Sequence, residues 1–491
     1  MEVISFDSLL KNFSKYNLVG IPKVRKAYEF AKLKHDGQYR ASGEEYITHP
    51  LNVANILTQL CADTDTICAA LLHDVVEDTD TSLEDIKAEF GETVARLVEG
   101  VTNLTKLSFS NKESFNNANI RKVILGMAKD VRIVLIKIAD RLHNMKTLEY
   151  KKPEKQKLKS METLEIYAPL ARDLGLHDIK CDLEDNSFMY LMPDLYKKTK
   201  DERDKIENES RKMVKEISEK LNFILNEQHI PNIIKFRLKS IYSIFRDMLS
   251  KGLSDITDLH NLFMFSIILD NINDCYISLR YIHENFAQID GGMSDYIGTP
   301  KGNHYRAFHT TVVGPEEKLL LMILKTYDMD ETARNGIAEF WFSDSNEAFS
   351  QMQDSLTSSQ FFRDIVDVNR MASNNKEFLD LIKGEIFAEK ISVFTMGGKP
   401  MLIVNGATAI DFAYQIHTEI GNKMVAVIVN GKSVGFDYVL KKDDRVRIIT
   451  DPLAEGPSES WLGIAKTARA KKKIKEFIKN KNKGYSLVRM P

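Results

Sequence analysis

From Thr66 to Val76 the chain reads TICAALLHDVV, an apolar run at helical spacing with His73-Asp74 set inside it. Burying an imidazole beside a carboxylate is costly unless the two are paired or hold a metal. Any fold of this chain must therefore bring further polar groups to that point. Two other segments can supply them. YRASGEEYITHP ends in His49 and Pro50, and IKIADRLHNM carries Asp140, Arg141, His143 and Asn144. His49, His73, Asp74 and Asp140 form a mixed nitrogen and oxygen set. Such a set suits Mn²⁺ or a similar cation, with positions open to water and phosphate oxygens.

The remaining polar residues of these segments fit one chemistry. A metal lowers the pKa of bound water and polarises a phosphoryl oxygen. Glu77 and Asp78 lie three to five residues beyond His73-Asp74, so a helix would project them near the same face. There they can orient the attacking water and accept its proton. Asn144 and Thr147 follow Asp140 by four and seven residues and would line a nucleoside pocket from the same face. Arg40 and Ser42 are placed to meet phosphate oxygens. A His-Asp dipeptide alone is more often structural; three segments with coordinating residues carry the reading.

The chain has 491 residues, enough for two to four domains. A net charge of −2 excludes whole-molecule electrostatic binding of nucleic acid, so any such role needs a local patch. Four scattered cysteines without a C-x-x-C pair indicate a reducing compartment. With no signal-like N-terminus and no run of ~18 apolar residues, the expectation is a cytoplasmic protein.

From about Pro22 to Asp194 the periodicity predicts helix after helix, with Thr81 or Ser82 capping one and Gly91 closing it. KKTKDERDKIENESRKMVKEISEKL reads as a solvated connector helix. From Ile233 the texture becomes α+β, with strands predicted at LFMFSIIL, HTTVVG and KLLLMIL and a hairpin turn at GPEEK. A polar helical stretch from about Asn346 to Lys383 leads to a short β-rich unit, Glu389 to Asp451. That unit holds a helix at AIDFAYQIHTEIG, and a basic helical tail follows it.

The segments YRASGEEYITHP, LLHDVVEDT, KIADRLHNMKTLEY and ETLEIYAPLARDLGL resemble the HD hydrolase domain of the RelA/SpoT family of alarmone synthetase/hydrolases. The resemblance implies metal ligands at His49, His73, Asp74 and Asp140, a water-activating pair at Glu77 and Asp78, Mn²⁺ as cofactor, and ppGpp and pppGpp as substrates. Ala41 departs from the family, which usually carries a basic residue there. Residues from about Ile233 to Phe342, including KFRLKSIYSIFRDM, SDYIGTPKGNHYRAFHTTVVGP and ARNGIAEFWF, resemble the family's synthetase domain. Anchored on DCY, Asn261 stands where the family has a Mg²⁺-holding aspartate on the first core strand, and Ser266 where it has an arginine. Leu321 stands at the second acid. Asp258, an odd shift upstream, would point to the opposite face of a strand. Arg237, Lys239, Ser243, Tyr305 and His309 are retained, which implies a pocket for a guanine nucleotide without synthesis.

ISVFTMGGKPMLIV through DRVRIIT resembles the TGS domain, a β-grasp module that in the family engages tRNA on the ribosome. His417 would make that contact; its alternative is a helix-surface histidine with no ligand. The implied fold is multidomain. An all-α HD hydrolase domain spans 1–195. An α+β synthetase-like domain, a mixed sheet flanked by helices, spans 196–345 with its connector helices. A helical linker (346–388), a β-grasp TGS domain (389–451) and a basic helical tail (452–491) complete it. The expected function is removal of the 3′-pyrophosphate from ppGpp and pppGpp. Its rivals are a bifunctional synthetase/hydrolase, an HD hydrolase of another nucleotide, and a non-catalytic RNA- or protein-binding regulator.

Overall fold

The computed structural model describes residues 4–102, 112–127, 129–301, 305–338 and 346–487. They form two compact units, Met1–Arg363 and Asp364–Pro491. Parts of two segments of the synthetase-like resemblance, residues 302–304 of GTPKGNHYR and 339–342 of ARNGIAEFWF, lie outside the described residues.

The first unit opens with an all-α domain. Its site-bearing helices are α1 (Thr48–Thr58), α2 (Thr64–Leu72), the single turn α3 (Val75–Asp78), α4 (Lys112–Gly126), α5 (Val131–Lys146), α6 (Pro153–Glu162) and α7 (His177–Leu191). Helix α5 is buried from Val131 through His143 except at Lys137, so neighbours cover it on almost every side. Two acids start the key helices. Asp63 caps α2 and accepts from Thr66 N at 2.7 Å; Asp130 caps α5 and accepts from Arg132 N at 3.1 Å. The Arg132 guanidinium joins them, 2.9 Å from Asp63 Oδ2 and 2.7 Å from Asp130 Oδ2. One buried arginine thus ties together the starts of the two helices that lead to His73 and Asp140.

Ser82 caps the helix Leu83–Phe90 through a capping box with Asp85. Gly91, at φ 96, separates it from the helix Glu92–Val101 as expected. The apolar run around His73-Asp74 differs from expectation. It is not one continuous helix: α2 ends at Leu72 with His73 as its C-cap, and Asp74 precedes the separate turn α3.

A charged cluster braces the back of α5. Glu162, at the end of α6, accepts from Arg141, from Lys159 at 3.1 Å and from Asn116 at 3.2 Å. The Arg141 guanidinium also lies 4.2 Å from the Tyr167 ring centroid.

The charged connector proves to be two helices, α8 (Pro193–Glu209) and α9 (Arg211–Glu227), with Ser210 between them. It is not simply solvated. Met213, Ile217, Leu221, Ile224 and Leu225 recur at helical spacing and enter the core of the next domain.

That domain is α+β. It comprises β1 (Asn232–Leu238), α10 (Ile241–Lys251), β2 (Phe263–Leu269), α11 (Ile272–Asn285), β3 (Ala287–Asp295), β4 (Phe308–Val313), β5 (Leu319–Thr326) and α12 (Tyr327–Asn335). The sheet order is β1-β2-β5-β4-β3, with β2 and β5 parallel and the other pairs antiparallel. Strand periodicity sorts β5 cleanly: Leu320, Met322 and Leu324 enter the core, while Leu321, Ile323 and Lys325 belong to the other face. The domain is pinned to the HD domain. Asp185 of α7 accepts from Tyr242 N at 2.8 Å, and Ile337 N donates to Leu174 O at 2.9 Å.

The helical stretch beyond it divides between the units. Helix α13 (Asn346–Ser358) belongs to the first, where Gln353 accepts from Val131 N at 3.0 Å at the start of α5. The second unit holds β6 (Lys390–Thr395), β7 (Pro400–Val404), α14 (Ala409–Ile416), α15 (Thr418–Asn422), β8 (Met424–Val429), β9 (Lys432–Val434), β10 (Arg445–Thr450) and α16 (Ala468–Leu487). Its sheet order is β7-β6-β10-β8-β9. The expected helix AIDFAYQIHTEIG is broken at His417 into α14 and α15. The basic α16 is not wholly solvated, since Ala470 and Ile474 join the core.

Burial pushes the Glu162 carboxyl up, but Arg141 and Lys159 outweigh it and hold the carboxyl below its ordinary 4.5. Its stabilisation is therefore complete above that value and is lost as pH falls through the depressed folded pKa. Glu162→Gln, which leaves Arg141 buried without its charge partner, is expected to destabilise the domain by about 3–5 kcal/mol. Urea unfolding followed by hydrogen exchange of the α5 amides measures this. A loss under about 1 kcal/mol would place the cluster among solvated surface pairs.

Candidate metal centre

Helices α1, α2 and α5 converge so that one ligand atom from each of His49, His73 and Asp140 lies within 4.8 Å of the others. His49 Nε2 stands 3.2 Å from Asp140 Oδ1 and 3.5 Å from Asp74 Oδ2. Asp74 spans the cluster, its Oδ1 being 3.2 Å from His73 Nε2. All four residues assigned as ligands from the sequence are thus brought together.

The donor set fits a divalent cation. His73 Nδ1 lies 2.8 Å from the Ala70 carbonyl, which can only accept, so the ring's proton sits there and Nε2 presents a lone pair. That Nε2 is buried without a hydrogen-bond partner, facing carboxylate oxygens. Lone pairs converging in a buried space are costly unless a cation lies between them. Burial pushes Asp140 up, but the Lys137 ammonium reverses this and holds it well below the usual carboxylate range. Lys137 Nζ is 3.0 Å from Asp140 Oδ2, leaving Oδ1 toward the cluster. Asp74 is likewise depressed: burial raises it, and the ammonium of Lys137 is a positive charge that lowers it. Both groups are thus anionic at neutral pH, as metal ligands must be.

Glu77 and Asp78 lie exposed beside this centre on α3. Tyr46 connects Asp78 to the ligands, its hydroxyl 2.6 Å from Asp78 Oδ2 and 2.9 Å from Asp74 Oδ2. Burial, then Asp74 and Asp78, raise the Tyr46 pKa, so it remains a donor. Arg40 gathers the expected nucleoside-side residues. Its guanidinium is 3.3 Å from Asn144 Oδ1, 3.2 Å from Thr147 Oγ1 and 3.2 Å from His143 Nδ1. Ser42 is not among them; its hydroxyl donates to Glu44 Oε2 at 3.2 Å within the turn. Tyr46 and Lys137 were missed in the sequence, and His143, named there with its segment, was given no role. Tyr46 and Lys137 each precede a ligand by three residues and His143 follows one by three, a spacing that could have found them.

In the synthetase-like domain the structure separates the expected residues into two groups. Arg237, Tyr305 and His309 belong to one electrostatic cluster. Tyr305 Oη lies 2.8 Å from His309 Nε2, and burial, then Lys301, Lys325 and Arg237, push His309 down to about 3. Lys301 Nζ is 4.4 Å from the Tyr296 ring centroid and 5.0 Å from that of Tyr305. Lys239 and Ser243 are instead occupied at the start of α10, with Asp247 and Ser240 respectively. Asn261 lies before β2 rather than on it, with a buried Oδ1 lacking a hydrogen-bond partner. The odd-shift argument against Asp258 therefore does not apply, because Asp258 ends a 3₁₀ turn, Ile256–Asp258. Leu321 is on β5, registered with Met264 of β2. Asp330, an acid near this face, is held by Lys325 at 2.8 Å, Lys235 at 3.1 Å and Arg334 at 3.2 Å.

His417 is exposed and is not on a helix surface. It has extended backbone between α14 and α15, and its Nδ1 accepts from Glu419 N at 3.2 Å.

A helical domain with paired histidines and aspartates at its centre defines an HD-type metal-dependent hydrolase domain, and comparison with known proteins agrees. The HD domain description matches residues 27–177, the region found in RelA / SpoT proteins matches 236–347, and the TGS domain matches 391–450. The chain is 36% identical over 484 residues to a guanosine-3′,5′-bis(diphosphate) 3′-pyrophosphohydrolase of Vibrio cholerae, covering 98% of this chain and 68% of that protein. It is 41% identical to the protein of that name from Aquifex aeolicus, covering 94% of this chain and 65% of the relative. It is also 38% identical to a GTP pyrophosphokinase of Myxococcus xanthus, covering 94% and 61%. The chain therefore spans about two thirds or less of the length of these last two relatives. It belongs to the RelA/SpoT family of (p)ppGpp hydrolases and synthetases. No described helix is long and apolar enough to cross a membrane.

His73→Ala and Asp74→Ala are each expected to abolish tight divalent-cation binding by the full chain, read by calorimetry with Mn²⁺. Wild-type affinity in the Asp74 variant would remove that residue from the ligand set.

Proposed function

We propose that this chain removes the 3′-pyrophosphate from ppGpp and pppGpp, yielding GDP or GTP and pyrophosphate, with Mn²⁺ held by His49, His73, Asp74 and Asp140. The observation that carries the reading is the bare, buried Nε2 of His73 directed at carboxylate oxygens, a geometry that calls for a cation. The names of the Vibrio and Aquifex relatives support the substrate. When bound, the cation acidifies water and polarises a phosphoryl oxygen. The chain's own residues do the rest. Glu77 and Asp78 take the proton of the attacking water, with Tyr46 holding Asp78 against the ligand shell. Arg40, with Asn144 and Thr147, binds the nucleotide and its phosphates, and Ser42 lies in the turn that carries Arg40. Lys137 keeps Asp140 ionised. Purified protein incubated with ppGpp and Mn²⁺ should release pyrophosphate and GDP. Glu77→Gln should retain the metal and lose roughly 10²–10⁴-fold in turnover, because it alters the proton acceptor and not the ligands. Absence of pyrophosphate release by the wild type would overturn the reading.

A second proposal concerns the central domain. On the proposed register neutral Asn261 and apolar Leu321 stand at the two acid positions, and Asp330, among the described residues, is paired with three cations, which supports a face that holds no Mg²⁺ for pyrophosphoryl transfer. The face keeps Arg237, Lys325 and Lys301 beside Tyr296, Tyr305 and His309. Cations with aromatic rings suit a guanine nucleotide bound without being transformed. A contact of the TGS domain with tRNA through His417 remains part of the same family-based proposal. In an Asp74→Ala background, where product cannot be destroyed, ATP with GDP or GTP should give no alarmone, while calorimetry should show GDP or GTP binding that Tyr305→Ala weakens. Accumulation of alarmone would restore the bifunctional rival, and no nucleotide binding would reduce the domain to a scaffold.

A further inference from the structure

His143 is buried on α5, one turn beyond Asp140, and none of the steps above uses it. Its Nδ1 meets two donors. Arg40 NH1 lies 3.2 Å away, and His49 Nδ1 lies 2.8 Å away. A guanidinium nitrogen can only donate, so the His143 Nδ1 it reaches is an acceptor. The nitrogen of His49 on the other side must then be the donor, and His49 carries its proton on Nδ1. That leaves His49 Nε2 as a lone pair directed at Asp140 Oδ1 and Asp74 Oδ2, 3.2 and 3.5 Å away. The arrangement parallels His73, whose Nδ1 faces the Ala70 carbonyl at 2.8 Å. One ligand histidine is oriented by a backbone carbonyl, the other by a side chain.

We infer that His143 is the positioning residue for the metal site: its Nδ1 accepts the His49 proton, fixes the tautomer and ring orientation of that ligand, and so sets the affinity for the cation. The inference rests on the proposed metal-dependent hydrolase reading and assigns a role to a residue outside its ligand set. Outer-shell acceptors of this kind commonly govern metal affinity by 10–100-fold. Arg40 holds the His143 ring from the other side, so the residue that meets substrate phosphate and the residue that orients His49 share one acceptor atom.

The test compares the full chain with His143→Leu, which fills the space without an acceptor, and His143→Asn, whose amide oxygen can stand near the position of Nδ1. Free Mn²⁺ is measured by electron paramagnetic resonance as each protein is titrated, and thermal melts are run without and with Mn²⁺. His143→Leu should bind Mn²⁺ about 10–100-fold more weakly, with His143→Asn recovering most of that loss. The leucine variant should also lose most of the Mn²⁺-induced rise in melting temperature, a difference that a purely structural role would leave intact. Wild-type Mn²⁺ affinity in His143→Leu overturns the inference, as does a His143→Asn variant as weak as the leucine one. If the leucine variant does not fold, His143→Gln replaces it, and wild-type affinity there with an unreachable amide likewise overturns it. Failure of the wild type to bind Mn²⁺ removes both the inference and the metal reading. Wild-type Mn²⁺ binding with the expected variant order, but no pyrophosphate release from ppGpp, supports the inference and overturns the substrate alone.

Discussion

Two buried imidazoles packed against the buried carboxylate of Asp140 and the part-buried one of Asp74 form the constraint on which the first domain depends. Without a cation they are a liability, since each is desolvated and their acceptor atoms converge. The surroundings are built to hold them there. Arg132 joins Asp63 and Asp130, the caps of α2 and α5, so the starts of these two helices are held by one buried guanidinium. The cluster of Arg141 with Glu162 fixes α5 from behind, and Lys137 occupies the outer oxygen of Asp140. Positive charge is thus supplied behind and beside the ligands, while the space between them is left to lone pairs.

The same reasoning separates the two sheet-side roles of the synthetase-like domain. Its core face is apolar and continuous from β2 to β5 and onto α9. Packing energy therefore maintains the fold whether or not the opposite face does chemistry. That opposite face carries Leu321 on β5, and Asn261 stands just ahead of β2, while Lys301 lies over the rings of Tyr296 and Tyr305. Cations and aromatic rings together favour an anion, which is the physical basis for proposing it as a binding face.

The convergence of His49, His73, Asp74 and Asp140, the four residues proposed as ligands, was legible because their types are rare within apolar helical runs. The mixed-sheet domain was legible because its strands alternate or run apolar between turn residues. The break at His73 was not. An apolar run looks continuous in one dimension, but Asp74 leaves the helical ladder to reach both histidines. The connector α9 was misread for a related reason. Charge dominates its composition, while only five apolar residues at the right spacing decide that it packs.

The sequence by itself determined the helical domain, the two sheet-bearing domains and which imidazoles and carboxylates could meet, because periodicity and residue type are local properties of the chain. The tertiary structure decided what those groups do to one another. His143 and Tyr46 are each ordinary as residues, and they acquire roles only when Arg40 and Asp78 arrive beside them. Ser42, equally eligible in the sequence, was turned to Glu44 instead. A hydrogen bond is a matter of a few ångströms and a direction, and packing of the helices sets both across separations of 100 residues and more.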